Sequence, residues 1–142
     1  MITANDLIQR LDLAPHPEGG HYRQTWVQDR KDGLRPAGTC IFFLLAAGEH
    51  SHWHRVDAVE IWHYYAGAPL ILHRAETEAG PAQQDILGPG VMAGQMPQLI
   101  VPEHHWQAAE TTGDWTLVGC TVSPGFQFEG FDLAPEGFHI PG

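Results

Sequence analysis

The chain has 142 residues and a formal net charge of −10, with 7 basic side chains against 17 acidic ones. A surface of this sign repels phosphate backbones and anionic lipids, which argues against nucleic-acid and membrane partners. Two cysteines are too few for a disulfide framework, and the longest apolar run, residues 40–47, is too short to span a bilayer. We therefore predict one domain over residues 1–142 and a cytoplasmic location.

The first predicted element is a short helix that begins after Thr3. Thr3 is a favoured N-cap residue, and Asp6, three residues later, is placed to complete a capping box. Leu7 and Leu11 belong to an apolar stripe, and Pro15 is expected to end the helix. A helix this short needs a larger element on which to dock.

The rest of the chain is predicted to form short strands, because runs of β-forming residues alternate with Gly and Pro. Nine strands are expected, at residues 21–27, 39–47, 50–56, 60–67, 69–76, 83–88, 97–102, 105–110 and 115–122. Many short strands with one helix indicate an all-β sandwich or barrel. The tail after Pro124 is rich in Phe and Gly, and we expect it to pack along the barrel or on a partner subunit.

Two of these strands carry the residues with the most chemistry. Because side chains alternate along a strand, His52 and His54 are expected on one face, and Glu60, Trp62 and Tyr64 on one face of the next strand. If the strands form a hairpin, two imidazoles and a carboxylate converge, which is a ligand set for Fe, Mn, Ni or Zn. The alternative is that these histidines only satisfy hydrogen bonds on a polar barrel face.

The same stretch, GEHSHWHRVDAVEIWHYYAG, resembles the first cupin motif, although five residues instead of three or four separate His54 from Glu60. The string GQMPQLIVPEHHWQ resembles the second cupin motif. There Gln107 takes the position of the fourth metal ligand, a His in that motif, and its amide oxygen is a weaker ligand than imidazole. His105, two residues earlier, is the possible substitute.

A closer resemblance covers nearly the whole chain. The strings HPEGGHYR, WHRVDAVEIWHYYAGAPLILH, LGPGVMAGQMPQLIVP, WQAAE and DWTLVGCTVSPGFQFEGFDLA are similar to the cupin subfamily known as a domain of unknown function. This resemblance implies a double-stranded β-helix (cupin jelly roll), usually a homodimer, with likeness to sugar-nucleotide epimerases. It implies no established reaction.

Five residues are candidates for ligand binding, and the first four of them have a structural alternative. Arg23 is suited to clamp a carboxylate or phosphate, unless its segment is only a turn into an edge strand. Trp62, Tyr64 and Trp106 are suited to line an aromatic slot, unless they fill the core. We also expect His105 to contact a ligand.

Three functions for a small-molecule-binding cupin stay open. The first is a metal-dependent oxygenase or isomerase that uses His52, His54, Glu60 and Gln107. The second is a metal-free isomerase or epimerase of sugars or sugar nucleotides, with His54 and Glu60 as base and Tyr64 as acid. The third is a non-catalytic binding or sensing module. No GxSxG, GxGxxG or HExxH string occurs, which argues against serine hydrolase, dinucleotide-binding and zincin chemistry.

Overall fold

The computed structural model describes residues 1–142, and its one α-helix, α1, spans Ala4–Arg10. The predicted capping box is confirmed: the Thr3 hydroxyl accepts a hydrogen bond from the Asp6 N–H at 3.2 Å, and the Asp6 carboxylate accepts one from the Thr3 N–H at 2.8 Å. The helix ends before Pro15, contrary to the prediction, because the chain already turns at Asp12, whose φ is 55°.

All nine predicted strands are present, each with ends within about one residue of the prediction, and two short strands are additional. The strands are β1 (Ala14–Pro15), β2 (His21–Val27), β3 (Thr39–Ala46), β4 (His50–Val56), β5 (Val59–Gly67), β6 (Leu70–Ala75), β7 (Gln83–Leu87), β8 (Gln98–Val101), β9 (Trp106–Thr111), β10 (Trp115–Ser123) and β11 (Phe131–Leu133). β1 and β11 escaped prediction because two or three residues carry no readable alternation.

The strands form two antiparallel sheets, which confirms the predicted all-β class. The first sheet has the order β1-β2-β3-β10-β5-β8 and the second has the order β11-β4-β9-β6-β7. The main core lies between them, since each strand turns alternate side chains inward. Phe43 and Trp62 from the first sheet and Leu70, Leu72 and Leu87 from the second are among its buried members.

The outer faces of both sheets are covered by the ends of the chain. Leu7 and Leu11 of α1 and its continuation pack on Leu44 and Leu117 of the first sheet, which supplies the docking that so short a helix needs. The C-terminal segment pairs with β4 through β11 and then covers the outside of the second sheet with Ile140 and its neighbours. The tail therefore packs along the barrel, as one of the two alternatives predicted.

Beyond its short pairing with β1, the outer edge of β2 is open and carries the exposed side chains of Trp26 and Val27. The homodimer implied by the resemblance stays a prediction. Cys40 and Cys120 are both free thiols. No helix in the structure, α1 included, is both long enough and apolar enough to cross a membrane.

Candidate functional site

A cavity of about 160 Å³, which we call the mouth cavity, opens between the two sheets. Four titratable side chains line it, those of His16, Glu18, His54 and Glu60, together with apolar side chains such as that of Phe126. His54 and Glu60 were predicted as site residues from the sequence, whereas His16 and Glu18 were not. The cavity therefore combines a cluster of acids and imidazoles with a largely apolar wall.

A β-bulge in β4 decides which of its histidines enters this cavity. Ser51 pairs with Ala109 and His54 pairs with Gln107, so two residues of β4 lie opposite one residue of β9. Ser51 and His54 consequently both point inward and are 1 % and 2 % exposed. His52 points outward, and its Nε2–H donates a hydrogen bond to the carbonyl oxygen of Pro135 at 3.0 Å. The expectation that His52 and His54 share a face is therefore wrong.

His54 is held as the Nδ1–H tautomer. Its Nδ1 lies 2.7 Å from the carbonyl oxygen of His52, which can only accept a hydrogen bond, so Nδ1 carries the proton. The Nε2 lone pair then faces Glu18, whose Oε2 is 3.6 Å away. The Ser51 hydroxyl donates a hydrogen bond to the same Glu18 oxygen. The imidazole thus presents a proton acceptor to a carboxyl group that is itself held in place.

Glu60 is held by a second chain of hydrogen bonds. The Trp62 indole N–H donates to the Gln107 Oε1 at 2.7 Å, and the Gln107 amide NH₂ donates to the Glu60 Oε1 at 2.8 Å. An indole nitrogen can only donate, so Trp62 fixes which end of the Gln107 amide faces Glu60. Glu60 is 8 % exposed and Trp62 is 1 % exposed, which makes this a buried polar network with every partner satisfied.

The loop before β2 carries Glu18, one of the two site residues that the prediction missed. Gly19 has a φ of 110°, and a Cβ at this position would overlap the carbonyl oxygen of His50. The loop therefore approaches β4 closely, and the His52 N–H donates to the Glu18 carbonyl oxygen at 2.8 Å. The Gly-Gly pair in HPEGGHYR was the available signal, because paired glycines indicate a close backbone approach.

Burial moves all four titratable groups towards their neutral forms. It raises the pKa of Glu18 to about 8, against the opposing hydrogen bond from Ser51. It raises the pKa of Glu60 to about 7, with His54 opposing the rise and Glu18 adding to it. Burial also lowers the pKa of His54, and it lowers the pKa of His16 to about 4 with the help of the nearby His54. Glu60 consequently titrates close to neutral pH.

The two raised carboxyl pKa values make the protein's stability depend on pH. A raised folded-state pKa contributes stability that is complete below the ordinary pKa and is lost as the pH rises through the folded value. His16 and His54, with lowered pKa values, act in the opposite direction below about pH 6.5. We expect the free energy of unfolding to fall by about 2 to 3 kcal/mol from about pH 6.5 to about pH 8.5, measured by urea denaturation.

The variant Glu18→Gln should remove most of that fall, because glutamine keeps the shape of the protonated acid and cannot ionise. Exposed Glu103→Gln, which also removes one carboxylate, should leave the fall unchanged. An equal pH dependence in wild type and Glu18→Gln would show that Glu18 is not a buried acid in solution.

Tyr64 and Arg23 lie away from the mouth cavity, contrary to their predicted roles. As expected, the side chains of Glu60, Trp62 and Tyr64 share the inward face of β5. The Tyr64 hydroxyl, however, donates a hydrogen bond to the Gly67 carbonyl oxygen at 2.6 Å, near the end of β5 that is remote from the cavity. The Arg23 Nε donates to the Leu11 carbonyl oxygen at 2.6 Å. Arg23 therefore fastens the end of the helical segment to β2 instead of binding a ligand.

Trp106 and His105 are also outside the cavity. Trp106 packs on the outside of the second sheet against Phe138, with their ring centroids 5.1 Å apart, and beneath the Arg55 guanidinium. His105 lies in the turn before β9, beside Pro81 and Pro102. Trp62 does not border the cavity either, and it contributes by orienting Gln107. The aromatic slot predicted from these residues is absent.

The predicted metal ligands, His52, His54, Glu60 and Gln107, do not assemble into a set that fits a metal ion. His52 points out of the barrel because of the bulge, and the Gln107 amide oxygen already accepts the Trp62 hydrogen bond. Nowhere in residues 1–142 do three or more His, Cys, Asp or Glu side chains form a group that could hold a metal ion. In place of the motif's ligand set, the cavity is lined by the carboxyl groups of Glu18 and Glu60 and the imidazole of His54.

Solved structures resemble this chain along nearly its whole length. A crystal structure of a protein from Shewanella oneidensis is 38% identical, with a TM-score of 0.88 over 94% of this chain and 85% of that one. A hypothetical protein from Leishmania major is 31% identical, with a TM-score of 0.83 over 96% of this chain and 90% of that one. No curated protein matches the sequence.

A more distant likeness concerns the fold. Oxalate decarboxylase from Bacillus subtilis is 14% identical, with a TM-score of 0.65 over 84% of this chain and 29% of that one. The double-stranded β-helix, or jelly roll, that the resemblance implied is thereby confirmed. Residues 5–134 match the family described as the cupin superfamily (DUF985), and the chain therefore belongs to that family.

Proposed function

We propose that this cupin binds a small molecule in the mouth cavity and transfers protons to and from it without a metal ion. The observation that carries the proposal is the placement of two buried carboxyl groups, Glu18 and Glu60, around His54 in one cavity. Acids and bases with displaced pKa values, gathered in a cleft, are typical of proton-transfer sites. The reaction class that such a site supports is isomerisation or epimerisation.

The roles of the residues follow from their contacts. Glu60 is the group that removes and returns a proton, since a catalytic acid or base works best with a pKa near the working pH. Gln107 orients it and, by donating a hydrogen bond, keeps the pKa from rising further. His54 accepts a proton at Nε2, and Glu18 replaces the predicted Tyr64 as the acid next to it. An isomerase needs two proton-transferring groups, one at the atom that loses a proton and one at the atom that gains it.

We expect Glu60→Gln to slow proton transfer by at least about 100-fold, because the amide has the shape of the acid but cannot take a proton. The measurement is the loss of a C–H signal by proton NMR in D₂O, with a panel of small hydroxycarbonyl and aminocarbonyl compounds. Glu103→Gln is the matched control, as an exposed glutamate outside the cavity. Equal exchange rates in wild type and Glu60→Gln would contradict the assignment of Glu60.

The metal independence is tested on the same samples. Elemental analysis of tag-free protein, purified without a nickel column, is expected to give far less than one equivalent of Fe, Mn, Ni or Zn. One equivalent that disappears in His54→Ala would overturn the metal-free mechanism and restore the metal-dependent alternative. Exchange activity that survives treatment with a chelator would support the proposal.

A further inference from the structure

The mouth cavity has no positively charged side chain in its lining. Every arginine but Arg10 pairs with a carboxylate or a carbonyl oxygen elsewhere, and Arg10 and Lys31 are exposed on α1 and on a loop. The pairs are Arg23 with Leu11, Arg30 with Asp32, Arg35 with Asp57, Arg55 with Asp132, and Arg74 with Asp85. A phosphate or carboxylate in the cavity would therefore lie beside two acids with no cation to pair with it.

Aromatic rings stand at the open side of the same cavity. Phe126 and Phe128 line it and cross at 87°, with ring centroids 5.0 Å apart. Phe131, which is outside the lining, packs against both rings and crosses Phe128 at 90°. Phe128 is 52 % exposed, so part of its ring is free to contact a ligand. Tyr22 of β2 adds a third ring to the lining.

Phe126 and Phe128 line this space with rings in two different orientations, since their planes cross at 87°. The negative face of an aromatic ring attracts an organic cation, and several rings around one space form the usual receptor for an ammonium group. Glu18 and Glu60 stand at the inner side of that space, and a cation placed beside a buried carboxyl group favours its ionised form. Both the rings and the acids therefore favour positive charge.

We propose that the ligand of the mouth cavity carries a small organic ammonium group, held between Phe126, Phe128 and the carboxyl groups of Glu18 and Glu60. This inference rests on the proposed function and narrows its substrate class. It replaces the sugar-nucleotide alternative, because a diphosphate has no positive partner in this cavity. A volume of about 160 Å³ suits a compact amine better than a nucleotide.

The test uses two probes that have the same shape and differ in charge. They are choline and 3,3-dimethylbutan-1-ol, in which an uncharged carbon replaces the choline nitrogen. Isothermal titration of the full chain is expected to show choline binding at least about tenfold more tightly than the isostere, with inorganic phosphate not competing. Phe128→Leu and Glu18→Gln should each reduce the preference for choline. Trp26→Leu, which removes an exposed aromatic ring elsewhere, should not change it.

Equal or tighter binding of the isostere would overturn the ammonium inference, and so would competition by phosphate or the failure of choline and methylammonium to bind. These results leave the proton-transfer proposal standing, because that proposal fails by different readouts. It fails when Glu60→Gln exchanges protons as fast as wild type or when a stoichiometric metal is found. The preference for a charged ligand thus tests the ammonium inference, and the rate of proton exchange tests the proton-transfer proposal.

Discussion

Replacing Trp62 with alanine is expected to lower the free energy of unfolding by about 3 to 5 kcal/mol, the usual cost of removing a large buried aromatic side chain. Trp62 is 1 % exposed and packs edge-on against Phe43, with ring centroids 5.8 Å apart. Its loss leaves a void between the two sheets and removes the hydrogen-bond donor of the Gln107 oxygen. Urea denaturation at about pH 6.5 measures the difference.

Trp62→Phe separates the two parts of that cost, because phenylalanine fills much of the space but has no N–H. We expect it to cost about 1 to 3 kcal/mol from the unpaired Gln107 oxygen, together with a smaller packing loss. The pKa of Glu60 should rise, since Gln107 is no longer fixed as its donor. Trp26→Ala, at an exposed tryptophan, is the control and should change stability little. Equal losses at positions 26 and 62 would contradict this account of the core.

Gly19→Ala is expected to destabilise the protein by about 3 kcal/mol or more, because two unfavourable effects coincide at that position. The φ of 110° is a conformation that residues with a side chain rarely adopt, and the new Cβ would overlap the His50 carbonyl oxygen. The loop must move away from β4, and Glu18 moves with it. The fall in stability from about pH 6.5 to about pH 8.5 should therefore shrink in this variant.

Gly48→Ala provides a close match for the backbone part of that effect. Gly48 has a φ of 84°, and a Cβ there would meet nothing within 4 Å. We expect a cost of about 1 to 2 kcal/mol, with the pH dependence of stability unchanged. If both substitutions had the same cost and the same pH dependence, the close contact between Gly19 and β4 would not be what positions Glu18.

The strands were readable from the sequence because each one repeats a local pattern. Alternation and the Gly and Pro between runs placed β4 within residues 50–56 and β10 near residues 115–122. The helix start was equally local, since Thr3 and Asp6 interact within one turn. The pairing of β11 with β4 was not readable, because it depends on residues about 75 positions apart meeting in the folded chain.

The site was only partly predictable for a related reason. His54, Glu60 and Gln107 were chosen from motif spacing, and they do lie together. His52 was misplaced because the alternation rule assumes an unbroken ladder, and an extra residue in β4 reverses the face. Glu18 was missed because its loop reaches the cavity through a backbone contact with β4. The Gly-Gly pair indicates a close backbone approach but not which strand the loop approaches.

The two ends of the chain meet at the mouth cavity, and this has a consequence during synthesis. The Phe131 ring lies 5.9 Å from the His16 ring and 5.5 Å from the His54 ring, measured between centroids. His16 leaves the ribosome long before Phe131 does, so a nascent chain that already holds most of both sheets still lacks one wall of the cavity. A ligand that contacts Phe126 and Phe128 therefore meets its complete site only after this last segment has docked.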